Sequence, residues 1–475
     1  MTGPAAMTER QRTLAVLVLV VALVLEIVDL TIVNIALPAI SSGIGADAVH
    51  AQWIVAGYSI SFALLLLAGG RLGDSYGYRR MLVWGVAGFT LASAACGLAQ
   101  TGGQLVAARL LQGATGAVMA PQSLALLQVL FTPLERVSKM ALFGVIGGLA
   151  AIAGPILGGV LIDANLFGLG WRLLFLINVP VGALTIAAAM RLLPPTRSGL
   201  HAGYDLGGTA WFGAAVAMLV GPLIGSEGGA GGGSALWLVL LALPLGALGW
   251  RHVARRCAAG QPALFDPAIL GVRTFRLGLA MSFAFAAASA GFLLVFAFAL
   301  QAERGQSPLM AGLLHMPFGF GAMFGIGFLS RKLLPRYGRV LPFLGALLMA
   351  LSSWLVLAAI GLGWPLASIA PVMIAAGIGM GMTSGCIGPI AFAQMDRGHA
   401  GSASGLLKTC QQLGSAVGVA LVGSAYFGWA AALHLSPTLL AAGLVAAILT
   451  VCAALALRLP RAIFAQTLTP EPVPS

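Results

Sequence analysis

The chain has 475 residues, 59% of them apolar, and its 25 Lys and Arg with 13 Asp and Glu make up only 8%. A soluble domain carries about 25% charged residues, so this composition cannot clothe a water-facing surface and most of the chain must lie in a bilayer. The formal charge of +12 would suggest nucleic acid as a partner of a soluble protein; in a membrane protein the placement of each basic residue matters more than the sum.

Arg10 and Arg12 precede LAVLVLVVALVLEIVDLTIVNIALP, a run too long for the apolar core of a signal peptide and without a clean small-residue cleavage site. It is read as an uncleaved first span, with Met7 as an alternative start. Apolar runs of membrane-crossing length then recur between polar breaks. The predicted spans are 14–38, 52–70, 81–100, 104–130, 140–162, 173–193, 207–225, 235–251, 277–301, 308–330, 340–361, 365–392, 402–427 and 437–458. With a cytoplasmic N-terminus, this count puts 22 of the Lys and Arg inside and only Arg172 and Arg304 outside, with Arg109 within the fourth span. The split follows the positive-inside rule, predicts both termini in the cytoplasm, and accounts for the +12 as a topology signal with no nucleic-acid partner.

An ionisable group at membrane depth costs about 2.5–3.5 kcal/mol on insertion scales, so each is a functional candidate. Of the thirteen acids only Glu26 and Asp29 sit mid-span, both in the first. Three residues apart, they share one helix face and are expected to titrate as a coupled pair that shares protons. That suits a proton-driven machine; the alternative is a protonated, hydrogen-bonded pair that only glues helices.

The fourth span carries Arg109, followed by Gln112, Gly113 and Gly116 at i+3, i+4 and i+7, a polar small-residue face. An Arg cannot neutralise itself, and Asp29 and Glu26 are the carboxylates available to it. In the fifth span Gly147, Ala151, Gly154 and Gly158 form a smooth stripe beside Pro155, which reads as a hinge or a tight seam. Phe283, Phe285, Phe292, Phe296, Phe298, Phe318, Phe320, Phe324 and Phe328 crowd the ninth and tenth spans. They read equally well as a greasy cavity for flat cations and as a lipid face. Asn34, Gln112, His315, Phe292 and Phe318 are the expected cavity lining, and the role of Lys408, in the thirteenth span, is left open.

The loops GGRLGDSYGYRRML (69–82) and GFLSRKLLPRYGRVL (327–341) pair a Tyr-Gly turn with Arg at corresponding places, which suggests two related halves. The expected organisation is a six-helix half over 1–193, two inserted helices with linkers over 194–272, a second six-helix half over 273–460, and a cytoplasmic tail over 461–475. Breakers PPTRSGLHAG (194–203) and SEGGAGGGS (226–234) mark the insertion. The five Cys are scattered, with no metal spacing and no disulfide framework, and no catalytic triad or phosphate-binding Gly loop is seen.

These residues resemble the major facilitator superfamily, specifically its fourteen-span drug:proton antiporter branch. The resemblance rests on VDLTIVNIALP (28–38), GGRLGDSYGYRR (69–80), RLLQGATGA (109–117), AIAGPILGG (151–159), WRLLFLINVPVG (171–182), SPLMAGLLHMP (307–317) and SGLLKTCQQLGSAVGVA (404–420). It implies an all-α membrane fold that alternates access by rocking its halves, with no cofactor and proton entry driving export. By resemblance Asp29 is the first-helix carboxylate, with Glu26 beside it, and Arg109 the fourth-helix base; Gly154, Pro155, Gly158 and Gly159 are the antiporter motif. Gly70, Asp74, Gly77, Arg79 and Arg80 would form a cytoplasmic gating loop. Ser75 and Tyr78 stand where the family usually has basic residues, and the thirteenth span lacks the acid that some members carry. The expected function is export of lipophilic, cationic drugs or toxic compounds by a monomeric secondary transporter of the cell membrane, and not an enzyme. The alternatives are a dedicated exporter of one natural product, an uptake symporter, and a membrane receptor without transport.

Overall fold

In the computed structural model the structure describes residues 8–196, 203, 205–225, 233–395 and 400–460. The readings that fell on Met7, Arg197, Glu227, Asp396, Arg397, Arg461, Glu471 and the 461–475 tail lie outside these residues. Among the described residues fourteen helices are long and apolar enough to cross a membrane: α1 Glu9–Ile44, α2 Ala48–Tyr76, α3 Tyr78–Leu98, α4 Gly102–Leu130, α5 Pro133–Ala164, α6 Gly170–Leu192 and α7 Leu206–Gly225, then α8 Trp237–Ala258, α9 Arg273–Glu303, α10 Pro308–Tyr337, α11 Val340–Gly361, α12 Leu366–Phe392, α13 Ser402–Ala432 and α14 Pro437–Leu457. Each predicted span has its helix. The observed helices overrun the spans where polar residues continue the helix past the apolar run, as α8 does through Arg255 and Arg256.

Local chemistry sets the helix starts. Thr8 and Gln11 form a capping box at α1, Asp47 accepts the His50 amide at 2.8 Å to start α2, and Thr132 with Glu135 caps α5. Gly45 ends α1 in the left-handed region at φ 61°, where a side chain would be strained.

An even number of crossings puts the start of α1 and the end of α14 on one face of the bundle, here termed the basic face because the Arg-rich connections lie there. α2 packs along α4 and α4 along α3; in the second half α9 packs on α13, and α11 on α12 and α14. The halves meet along two seams, α5 with α10 and α2 with α13, and α7 leans on both α2 and α13 while α8 rests on α7.

The α5/α10 seam is closed at one end only. Far from the basic face a Cβ at Gly159 would lie 2.6 Å from Leu309 Cα, and one at Gly312 2.6 Å from the Pro155 carbonyl, so backbone meets backbone. Toward the basic face Gly144, Gly148 and Gly327 have open space where a side chain would go. At the far face Gln301 Nε2 donates to Ile35 O at 2.9 Å, a second tie between the halves. Nearby, α9 and α13 each end in a wide turn, Ala299–Glu303 and Ala425–Trp429, where Tyr426 and Thr438 donate to the Glu303 carboxylate at 2.6 and 2.7 Å.

Candidate functional site

The polar centre is built on α1. Asp29, 1% exposed, accepts from Arg109 Nη1 at 2.6 Å, from Gln112 Nε2 at 2.7 Å and from Asn178 Nδ2 at 3.2 Å. Arg109, also 1% exposed, donates further to Gln112 Oε1 at 2.6 Å and to the Ile54 carbonyl at 3.1 Å. Its guanidinium lies 4.3 Å from the centre of the Tyr58 ring. Ser93 accepts from Gln112 and Asn178 at 2.6 and 3.2 Å. Five helices, α1, α2, α3, α4 and α6, thus close around one ion pair. Two amides meet Asp29 Oδ1, Arg109 meets Oδ2, and the guanidinium is met in turn by the Gln112 and Ile54 carbonyls, which is what makes a buried pair tolerable.

Glu26 faces elsewhere. Lys408 Nζ of α13 donates to its Oε1 at 2.8 Å, and the ammonium stands 5.1 Å from the centre of the Phe62 ring. This pair bridges the two halves, whereas Asp29–Arg109 lies within the first. The expectation of two carboxylates sharing protons with each other is therefore corrected. One turn along α1 rotates Glu26 far enough to meet α13 while Asp29 meets α4, so each acid has its own cation.

The expected cavity lining divides. Gln112, fully buried, belongs to the Asp29 network. Asn34 donates to Leu30 O at 3.1 Å and sits beyond Asp29 toward the far face. His315, Phe292 and Phe318 come together in a buried cluster between α9 and α10. The His315 ring is 5.0 Å from Phe318 and 6.1 Å from Phe296, and Phe292 is 6.1 Å from Phe318. The aromatic crowd is split by burial: Phe285, Phe292, Phe296, Phe298 and Phe318 are buried, while Phe320, Phe324 and Phe328 are exposed.

Gly154, Gly158 and Gly159 lie where three helices meet. Gly154 abuts Thr31 and Gly158 abuts Ile32 of α1, Gly159 abuts Leu309 of α10, and Pro155 presents its carbonyl to Gly312. The expected 69–80 loop is helical except at Gly77, which joins α2 to α3 at φ 92°; Gly70 lies near Pro121 of α4, and Tyr78 donates to Asp74 at 2.7 Å, filling the place where a basic residue was expected. Arg79 holds the Met190 carbonyl of α6, and Arg80 is exposed. Arg71 holds the carbonyls of Gly203 and Ala263, tying α2 to the segments that flank the α7–α8 pair.

A second ionic node anchors that pair. Asp205 Oδ1 accepts the Gly208 amide at 2.8 Å and lies 2.9 Å from His252 Nε2, and Oδ2 accepts the Leu264 amide at 2.9 Å. Burial works to raise the pKa of Asp205, and the amides and His252 outweigh it, leaving the carboxyl below its ordinary value.

Asn178, Ser93 and Tyr58 were missed by the sequence reading. A search for charged groups at depth passes over neutral polar ones, although Asn178 stands alone among apolar residues in LINVPVG.

The family model described as Major Facilitator Superfamily matches residues 19–419. A "Probable actinorhodin transporter" from Streptomyces coelicolor is 37% identical over 434 residues, covering 90% of this chain and 74% of the relative. The "Puromycin resistance protein pur8" of Streptomyces alboniger is 32% identical, covering 89% and 83%. The "Drug efflux pump JefA" of Mycobacterium tuberculosis is 33% identical, covering 89% and 82%. The crystal structure of a bacterial homologue of the human lysosomal transporter Spinster superposes with a TM-score of 0.68 at 17% identity, over 98% of this chain and 100% of that one, a likeness of fold. By the extent of the family match and these identities, the chain belongs to the Major Facilitator Superfamily.

Proposed function

We propose that the chain is a proton-coupled antiporter that exports a lipophilic drug or antibiotic across the cytoplasmic membrane. As a member of its superfamily it is a membrane transporter and not an enzyme. The observation that carries the coupling is the sealed Asp29–Arg109 pair with its shell of amides. Arg109, Gln112 and Asn178 together meet the Asp29 carboxyl while they are in place. In the proposed cycle Arg109 swings aside and a proton replaces it as the partner of Asp29, so movement of one helix is tied to proton uptake on another. Each pH unit of gradient supplies about 1.36 kcal/mol per proton, and each charge crossing 100 mV about 2.3 kcal/mol. Export is supported by relatives described as a drug efflux pump and as resistance proteins. A cytoplasmic location for both termini is supported by the split of basic residues, 21 to 2 with Lys408 and Arg109 both placed inside the bundle. The proposed working unit is a monomer.

A second reading, a dedicated exporter of one natural product, draws support from relatives described as a probable actinorhodin transporter and a tetracenomycin C resistance and export protein. The test uses purified protein in vesicles with an imposed pH gradient and a panel of lipophilic dyes and antibiotics. Gradient-driven efflux that disappears in Asp29→Asn is the expected result; efflux that persists in that variant would refute coupling through Asp29. Efflux of many panel members supports the first reading, and efflux of a single chemical class supports the second.

A further inference from the structure

Among the described residues, the charges at the middle of the bundle are Asp29, Glu26, Arg109 and Lys408, and they form two pairs. An expectation of cationic cargo presumes a carboxylate free to receive it, and both carboxylates already hold a cation. The pairs differ in what a molecule entering between the halves would meet. The Asp29 and Arg109 side chains are 0% and 1% exposed, and nothing can reach them without unpacking five helices. In the other pair Glu26 is covered at 8% while the Lys408 side chain is 42% exposed.

That exposure is not toward lipid. Ser404, Lys408, Gln411 and Ser415 follow one another at i, i+4, i+7 and i+11 on α13, all exposed or half-exposed, about two turns into the helix. A polar stripe of this length on a membrane helix belongs against water or protein. Lys408 reaches α1 and stands over Phe62 of α2, so the stripe faces the crevice between the halves. This is the crevice that the α5/α10 seam leaves open toward the basic face, at Gly144 and Gly148.

We propose that Lys408 is the docking cation for an acidic group, a carboxylate or an acidic phenol, on the exported molecule, and that Glu26 is the internal stand-in that holds this place when no cargo is bound. The proposal rests on the reading of the chain as an exporter and deepens it by naming a substrate class. An ammonium has three donors; one is given to Glu26, the Phe62 ring face covers part of the remainder, and the rest opens on the crevice. An arriving anion approaches the accessible member of the pair directly and displaces Glu26. A cation must first push Lys408 aside to reach a covered carboxylate. Phe62, fully buried, backs the ammonium from within the protein.

The test is equilibrium binding, with no gradient, to the full chain in lipid nanodiscs. The probes are fluorescein, an anionic xanthene, and rhodamine 6G, a cationic one on the same ring skeleton, followed by fluorescence anisotropy. Wild type is expected to bind fluorescein more tightly than rhodamine 6G. Lys408→Gln should weaken fluorescein tenfold or more, Lys408→Arg should keep it, and Glu26→Gln should tighten it severalfold by removing the competitor. Failure of wild type to bind fluorescein, fluorescein binding untouched by Lys408→Gln, or fluorescein binding weakened by Glu26→Gln would each overturn the proposal. Should Lys408→Gln fold poorly, Lys408→Arg and Glu26→Gln decide between the two signs of charge. Because binding is read without a gradient, the exporter reading fails separately, in the vesicle assay on Asp29→Asn.

Discussion

Two ion pairs sit one turn apart on α1, and they stand in opposite relations to the architecture. Asp29–Arg109 joins helices of one half and is sealed by Gln112, Asn178, Ser93 and Tyr58. Glu26–Lys408 joins the two halves and is open on one side. A rocking motion of the halves strains the second pair directly and reaches the first only through a shift of α4 against α1 within one half. The same helix therefore carries a charge store internal to one body and a contact that reports the relative position of two.

The sharpest way to break this comparison is to truncate one partner in each pair. Arg109→Gln leaves a buried carboxylate without its cation, a loss of about 3–5 kcal/mol in comparable buried pairs. Thermal unfolding in detergent should show a large drop or failure to fold. Lys408→Gln also leaves a covered carboxylate, Glu26, but on a pair open to water on the lysine side, so the loss should be smaller than at Arg109. Equal losses would mean that the two pairs are equivalent and that the sealed network has no special standing.

Next comes the seam. Gly159→Ala drives a methyl into the backbone of Leu309, and overpacking of this kind costs about 1–3 kcal/mol. If closure at the far face is part of the cycle, transport in vesicles should fall by roughly a factor of ten per 1.4 kcal/mol. Gly148→Ala has the same intrinsic helix preference and meets nothing, so transport should be unchanged. A matching defect in both variants would trace the effect to helix propensity and away from the seam.

A smaller effect is expected at Asp205, which anchors the α7–α8 pair. Its carboxyl is held below the ordinary value, so its stabilisation is present above the unfolded-state pKa and is lost as pH falls through the folded one. Asp205→Asn should remove that acid dependence while leaving Asp29-coupled efflux in place, measured by melting temperature against pH. The smallest effect belongs to Glu135, where the Arg12 guanidinium and the Thr132 amide and hydroxyl lower the pKa from 4.5 to about 2. Its contribution is complete above pH 4.5 and fades toward pH 2. Glu135→Gln should flatten the stability profile only in that window.

Helix number and order were legible in the sequence because a bilayer imposes one length on every crossing and basic residues mark the connections. The Asp29–Arg109 partnership was legible by elimination, since few charges at depth were available to pair. Lys408 with Glu26 was not. The two lie 382 positions apart, and helix periodicity says nothing about which distant helix a face will meet. The phenylalanines illustrate the same limit: Phe318 and Phe320 stand two positions apart, one 5% and the other 60% exposed. Their side chains point to different sides of α10, and only the packing partner distinguishes core from periphery. Asn178 and Ser93 escaped because neutral polar groups carry no charge penalty to flag them.

The tight contact of α5 with α10 at one end only makes the pair of halves a lever with its fulcrum at the far face. Across a hydrocarbon core of about 30 Å, a rotation of about 15° about Gly159 and Leu309 displaces the opposite end by about 8 Å. Release of cargo at the far face requires the same backbone contacts, Gly159 on Leu309 and Gly312 on Pro155, to part again. Glycine provides a bearing surface without side chains to interlock, and the travel available to the cargo is set by the thickness of the membrane itself.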